Sequence, residues 1–211
     1  MEKREILSVT VSIILCAVVI SFIDGEIRAP FLLSALAISA VIILISVCSK
    51  KLTAGNIDVG IKLKIWEFQR YGLAAKQKFR SPFPIGLLLP LILVIISNGM
   101  LKFLAFLQFE SKALPAKAVK KYGLRRFSGI MEWDDALIVF YSVLPLMILA
   151  IAASFFDSAF FNSLSRYSMF YVISNLIPIS QLDGTKLFFG SRPLFVFTWI
   201  LAVISSFFAF F

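Results

Sequence analysis

The 211-residue chain contains no histidine. It therefore has no imidazole to relay protons near neutral pH or to supply the nitrogen ligand that many zinc sites use. Charge is also scarce. Charged residues make up 16% of the chain, against roughly 25% in soluble globular proteins, while 60% of residues are hydrophobic and 15% aromatic. That balance excludes an ordinary soluble domain and indicates an integral membrane protein. Cysteine is limited to Cys16, inside one apolar block, and Cys48, at the end of the next. The two have no framework spacing, so no disulfide is implied. Internal repeats and low-complexity tracts are lacking too.

What is present is a series of apolar blocks at 6–23, 30–48, 135–156, 164–180 and 193–211, each close to the roughly 17 to 25 residues of a spanning helix. They predict an all-α integral membrane protein in a single membrane domain over 1–211. An N-terminal anchor span falls in 1–30, a core in 31–192 and a C-terminal span in 193–211. The first block lacks the short apolar core and small-residue cleavage site of a removable signal, so it is expected to remain as an anchor. A further apolar region, 83–109, carries "ISNGMLK" at 96–102 in its middle, and Asn98-Gly99 favours a turn. The total is then about five to six transmembrane helices.

The net charge is +9. The basic residues cluster in loops between apolar blocks, which points to a membrane topology rather than to nucleic acid. If 83–109 crossed the bilayer, loop 49–82, with eight Lys/Arg, and loop 110–134, with six, would face opposite sides. A re-entrant hairpin turning at Asn98 and Gly99 keeps both on one side. Together with the N-terminus and the 181–192 turn, it places 18 of the 21 basic residues in the cytoplasm, as the positive-inside tendency requires. The protein is thus expected to be multi-pass with a cytoplasmic N-terminus. Non-helical backbone at that depth must be shielded by protein or line a wet cavity, so helices should surround the hairpin.

Apolar residues alternate from Val59 to Ile65 within "NIDVGIKLKIWEFQRY", a strand period that predicts a short cytoplasmic β segment. Segment 110–134, with Pro115 and Gly123, is expected to be an exposed linker with one short helix. The acids of "EWDD" at 132–135 suit the N-terminus of the following helix, where carboxylates complement its dipole and orphan amides.

The chemistry lies in "SNLIPISQLDGTKLF", 174–188. A carboxylate beside a lipid-facing helix is expensive. Read locally, Pro178 breaks the helix, Asp183 and Gly184 form a turn, and Asn175 makes a local hydrogen bond. The string Asn175-x-x-Pro178-x-x-x-Leu182-Asp183-Gly184 also resembles the N-x-x-P-x-x-x-L-D-G signature of the site-2 protease family of intramembrane zinc metalloproteases (peptidase family M50). The resemblance covers about 31–192. "WEFQRYG" at 66–72 and "PFPIG" at 82–86 are similar to the insert between catalytic helices in compact members lacking a PDZ domain.

In that family the motif's aspartate is the third zinc ligand. The other two are the histidines of H-E-x-x-H, whose glutamate activates the metal-bound water. Anchored on Ala54, the alignment places the two histidines at Ser46 and Lys50 and the glutamate at Val47. Both nitrogen ligands and the base are gone together, which leaves no intact catalytic residue and Asp183 as a vestigial ligand. Zinc, the family's cofactor, is expected to be lost, and no other cofactor is implied. Cys48 and Asp58 are the remaining candidate ligands. Cys48, however, is two positions from each lost histidine and so points to another helix face. Lys50 is expected either to neutralise Asp183 or to snorkel to the headgroups with Lys51.

The resemblance implies a catalytically inactive pseudoprotease that sits in the lipid bilayer, binds transmembrane segments of client or partner proteins, and has no nucleic-acid partner. The alternatives are an active intramembrane metallopeptidase with unconventional ligands and a small transporter or channel subunit. The last expects polar residues along one helix face through the bilayer centre, and "ALIVFYSVLPLMILAIAASFF" at 136–156 offers few.

Overall fold

The structure, a computed structural model, describes residues 3–23, 26–27, 29–70, 78–113 and 132–210. Within them the chain runs α1 (Lys3–Ser21), β1 (Phe22–Ile23), β2 (Glu26–Ile27), α2 (Ala29–Asn56), β3 (Val59–Ile65), β4 (Phe68–Arg70), β5 (Lys78–Phe83), α3 (Ile85–Ile96), β6 (Leu107–Ala113), α4 (Glu132–Ser154), α5 (Ala159–Leu176), α6 (Asp183–Gly190) and α7 (Arg192–Phe210). The protein is mostly helical. The strands form three two-stranded antiparallel ribbons, β1–β2, β3–β6 and β4–β5, more β structure than the one short segment expected from sequence.

Among the described residues four helices, α1, α2, α4 and α7, are long and apolar enough to cross a membrane. Large apolar side chains on their outer faces are exposed, among them Leu7, Leu33, Ile148 and Phe207. Such a surface is costly in water but natural in lipid. The block expected at 164–180 is α5, shifted to 159–176 and too polar to join those four. Its polar residues Ser165, Ser168, Ser174 and Asn175 turn inward and are buried, and Ser165 Oγ donates to Ala150 O of α4 at 2.7 Å. A helix wrapped by others can hide hydroxyls that a lone span could not.

Two expected boundaries move. The second apolar block ends at 48, but α2 continues to Asn56, so Lys50 and Lys51 are helical rather than in a loop. Helical hydrogen bonding need not stop where hydropathy does. The 181–192 turn is instead the short helix α6.

The alternation from Val59 to Ile65 is a strand, and its partner is β6, with Leu63 opposite Phe109 and Lys62 opposite Glu110. Alternate side chains point to opposite faces, so Leu63, Leu107 and Phe109 are buried while the lysines face outward. Because β6 covers Leu107–Ala113, the last residues of the hairpin region and the first of the linker are extended. Residues 114–131 of the linker, where a short helix is expected, lie outside the described residues, and 132–134 already belong to α4. The turn at 97–100 is where Asn98-Gly99 predicts it, with φ of 50° and 86°. Its outbound limb is α3, whereas the return limb is non-helical. Leu104, Ala105 and Phe106 of that limb are buried, and Leu104 N donates to Ser174 Oγ at 3.0 Å. Lys102 Nζ donates to Ile20 O and to Tyr167 Oη, both at 3.0 Å.

Candidate functional site around Lys50 and Asp183

The motif segment begins where α5 ends. Pro178 lacks an N–H and cannot extend a helix, and Ile177 before it is extended, with ψ 124°. The chain reverses through Ser180, at φ 54°, and Leu182 N donates to Ile179 O at 3.1 Å. Asp183 then opens α6 in its first turn, so the pair Asp183-Gly184 starts a helix rather than forming an isolated turn. Gly184 is required by space: a Cβ there would sit 2.1 Å from Leu176 O and 2.8 Å from Ile177 O. Without a side chain at 184, α6 can press against the end of α5, which carries Asp183 into the protein.

The other motif residues hold this reversal. Asn175 is 1% exposed, and its Nδ2 donates to Tyr171 O at 2.8 Å. Leu182 is fully buried in a small cluster with Trp66 and Ala105. The backbone N–H of Trp66, from "WEFQRYG", donates to Phe106 O at 2.8 Å, and its backbone carbonyl accepts from Gly86 N, of "PFPIG", at 2.9 Å. A Cβ at Gly86 would meet Phe106 O at 2.6 Å. Trp66, Gly86 and the motif's Leu182 thus meet in one packed unit around Ala105 and Phe106.

Facing this unit is α2. Ser46 and Lys50 are four residues apart and share a helix face, and Ser46, Val47 and Lys50 are all buried. Lys50 Nζ lies 2.5 Å from Asp183 Oδ2, with both side chains 2% exposed. This is the ion pair expected from sequence, and the alternative in which Lys50 snorkels outward does not occur. Lys51 instead pairs with Glu5 of α1 at 2.9 Å. Cys48 is exposed, on the face opposite its buried neighbours. Asp58 lies beyond the end of α2 at φ 64°.

Several participants carry no motif signal. Tyr171 Oη donates to Ser46 Oγ at 3.2 Å. It lies one helical turn before Asn175, which is the only hint the sequence offers. Phe109 is placed between two ammonium groups: Lys50 Nζ is 5.6 Å and Lys186 Nζ 3.4 Å from its ring centroid, a cation–π arrangement. Lys186 Nζ also donates to Phe109 O at 2.5 Å and lies 3.6 Å from Asp135 Oδ2. Burial pulls the Lys186 pKa below its ordinary value, and neighbouring Asp135 partly opposes that. Asp135, in the first turn of α4 as expected, thus does more than favour a helix terminus, and it also accepts from Ser111 Oγ. Beside the pair a cleft of about 400 Å³ is lined by Phe109, Ser111, Asp135, Gln181 and Lys186.

The donor set does not fit zinc. On the facing turn of α2 stand Ser46, Val47 and Lys50, none of them a usual zinc ligand, and the lysine occupies an oxygen of Asp183. Among the described residues no three His, Cys, Asp or Glu side chains gather as a metal site. Nor can Ser46 and Lys50 act as a nucleophile and base, because an ammonium held by a carboxylate has no lone pair to take the serine proton. What the arrangement does in the fold is tie α2 to α6 through the Lys50–Asp183 pair. No family model, curated protein or solved structure matches the chain.

Proposed function

We propose that the chain is a catalytically inactive, site-2 protease-like membrane protein, a pseudoprotease that binds transmembrane segments of client or partner proteins. The Lys50–Asp183 contact of 2.5 Å carries this reading. The resemblance singles out Ser46 and Lys50 as degenerate metal positions and Asp183 as the vestigial ligand, and an ammonium bridges the gap in which the family holds its metal. The convergence of "WEFQRYG", "PFPIG" and the motif on Trp66 and Leu182 adds weight. In this reading α5 is a further crossing helix and the 85–106 segment dips in from the cytoplasmic side. The N-terminus is cytoplasmic, and the Lys50–Asp183 pair sits at the cytoplasmic boundary next to the cleft.

Elemental mass spectrometry of the purified protein, paired with a cleavage assay on a transmembrane peptide, tests it. The expected result is no stoichiometric zinc and no cleavage. One tightly held zinc per chain, or a peptide cut at a defined bond, refutes the proposal and favours a metallopeptidase with unconventional ligands.

A further inference from the structure

A second cavity, of about 410 Å³, lies where the first turns of α1 meet the outer face of the β3–β6 ribbon, away from the Lys50–Asp183 pair. Its basic residues are Arg4 of α1 and Lys62, Lys64 and Lys112 of the ribbon. The strand register explains their gathering: Lys62 faces Glu110, and Gly60 faces Lys112, so all three lysines stand on the same side as Glu110. Of the acids lining the cavity, Glu110 is held by Lys64 at 2.8 Å. Glu5 is held by Lys51 at 2.9 Å and accepts from Leu63 N at 3.3 Å. The side chains of Arg4 and Lys112 are exposed and have no ion-pair partner among the described residues. Both therefore remain available to an outside anion, in a cavity where four basic residues face three acids and two of those acids, Glu5 and Glu110, are held by lysines, Glu67 being the third.

The position of the cavity points to the kind of anion. α1 is long and apolar enough to span a membrane, so its first two turns, which contribute Arg4 and Ser8, lie at a membrane–water boundary. Below Arg4 on the same helix stripe come Leu7, 66% exposed, and Ile14, 52% exposed. A molecule with a phosphate at Arg4, Ser8 and Lys112 would run its apolar tail along Leu7 and Ile14. We propose that this cavity is a binding site for the headgroup of an anionic phospholipid. Arg4 and Lys112 clamp the phosphate oxygens from opposite sides, the Ser8 hydroxyl is within the same lining, and the outer stripe of α1 seats an acyl chain. Occupancy would tie the ribbon to the membrane surface, and with it Phe109, which reaches the Lys50–Asp183 pair from β6.

Native mass spectrometry of the detergent-solubilised full chain tests this, with phosphatidylglycerol as the probe and phosphatidylcholine as the reference. Wild type should retain one phosphatidylglycerol at an affinity about tenfold or more above that for phosphatidylcholine. The double variant Arg4→Gln/Lys112→Gln should lower it roughly tenfold, and so should Lys112→Glu alone, a surface change that leaves the fold in place. The charge-matched control Arg166→Gln/Arg192→Gln should leave affinity unchanged. Equal loss in the control, or no loss in either cavity variant, overturns the site in favour of diffuse attraction. Displacement by glycerol phosphate at concentrations comparable to the lipid overturns the assignment to lipid in favour of a soluble phosphate ligand.

Discussion

At the scale of single residues, the decisive interaction is between Lys50 and Asp183, each close to fully buried. Removing one member of such a pair leaves the other as an uncompensated charge, which costs about 3 to 5 kcal/mol. Lys50→Met and Asp183→Asn should each destabilise the protein by that order, and the double variant should lose clearly less than the sum, as coupled neighbours do. Denaturation in detergent measures the cycle; additive losses would mean that Asp183 answers to another partner. Gly184→Ala is expected to be comparably severe, because its methyl group would overlap Leu176 O and force α6 off α5. Lys186 supplies a pH signature. Burial depresses its folded-state pKa, so across the interval below its unfolded value the unfolded chain binds more protons, and stability rises as pH climbs through that interval. Lys186→Met should abolish the alkaline gain. A slope that persists in the variant would assign it to another group.

At the scale of elements, the return limb after Asn98-Gly99 is the least usual feature, a non-helical stretch whose Leu104, Ala105 and Phe106 are buried and which is hydrogen-bonded to helices α1 and α5. Its backbone must find partners within the protein. Leu104 N is satisfied by Ser174, and Lys102 in turn satisfies the Ile20 carbonyl at the C-terminal end of α1. A lysine suits that end of a helix dipole, and Lys102→Met should cost on the order of 1 to 3 kcal/mol for the carbonyl left unmatched. If stability is unchanged, water serves that carbonyl instead. The hairpin topology makes a separate prediction. In a background of Cys16→Ala/Cys48→Ser, single cysteines placed at Lys78 and Lys117 should be labelled from the same membrane face. Labelling from opposite faces would make 83–109 a crossing segment and overturn the proposed cytoplasmic placement of both flanking loops.

At the scale of the whole molecule, α2 is a hub. It packs against α1, α4, α5 and β3 while carrying Ser46 and Lys50 toward the motif and Lys51 toward Glu5. Two ion pairs on consecutive residues therefore tie the helix in two directions, to α6 and to α1. If the proposed site-2 protease-like reading holds, Ser46→His, Val47→Glu and Lys50→His together remove the ammonium from Asp183 and should allow zinc to bind in its place, provided that the groups around the ligands orient them. Metal content after zinc loading, read together with thermal stability, checks this. A triple variant that is stable yet takes up no zinc would mean that the α2–α6 spacing does not accommodate a metal and would count against the proposed reading.

Much of this was legible in the sequence because it depends on local or additive properties. Hydropathy over about 20 residues marks a helix that can span, strict alternation marks β3, Asn98-Gly99 marks the reversal, and Pro178 marks the end of α5. The absence of histidine excludes the nitrogen ligands without reference to any fold. Long-range packing lay beyond such reading. Nothing local pairs Val59–Ile65 with Leu107–Ala113, extends α2 past its apolar block, or turns the hydroxyls of α5 inward, since each depends on which surface a distant segment presents. Sequence could nominate Lys50 for Asp183 while leaving snorkelling equally open. The tertiary structure decides between them because Gly184 admits α6 against α5, which sets the carboxylate in a dry site facing α2, where a lysine held by Asp183 is better placed than one reaching for the headgroups.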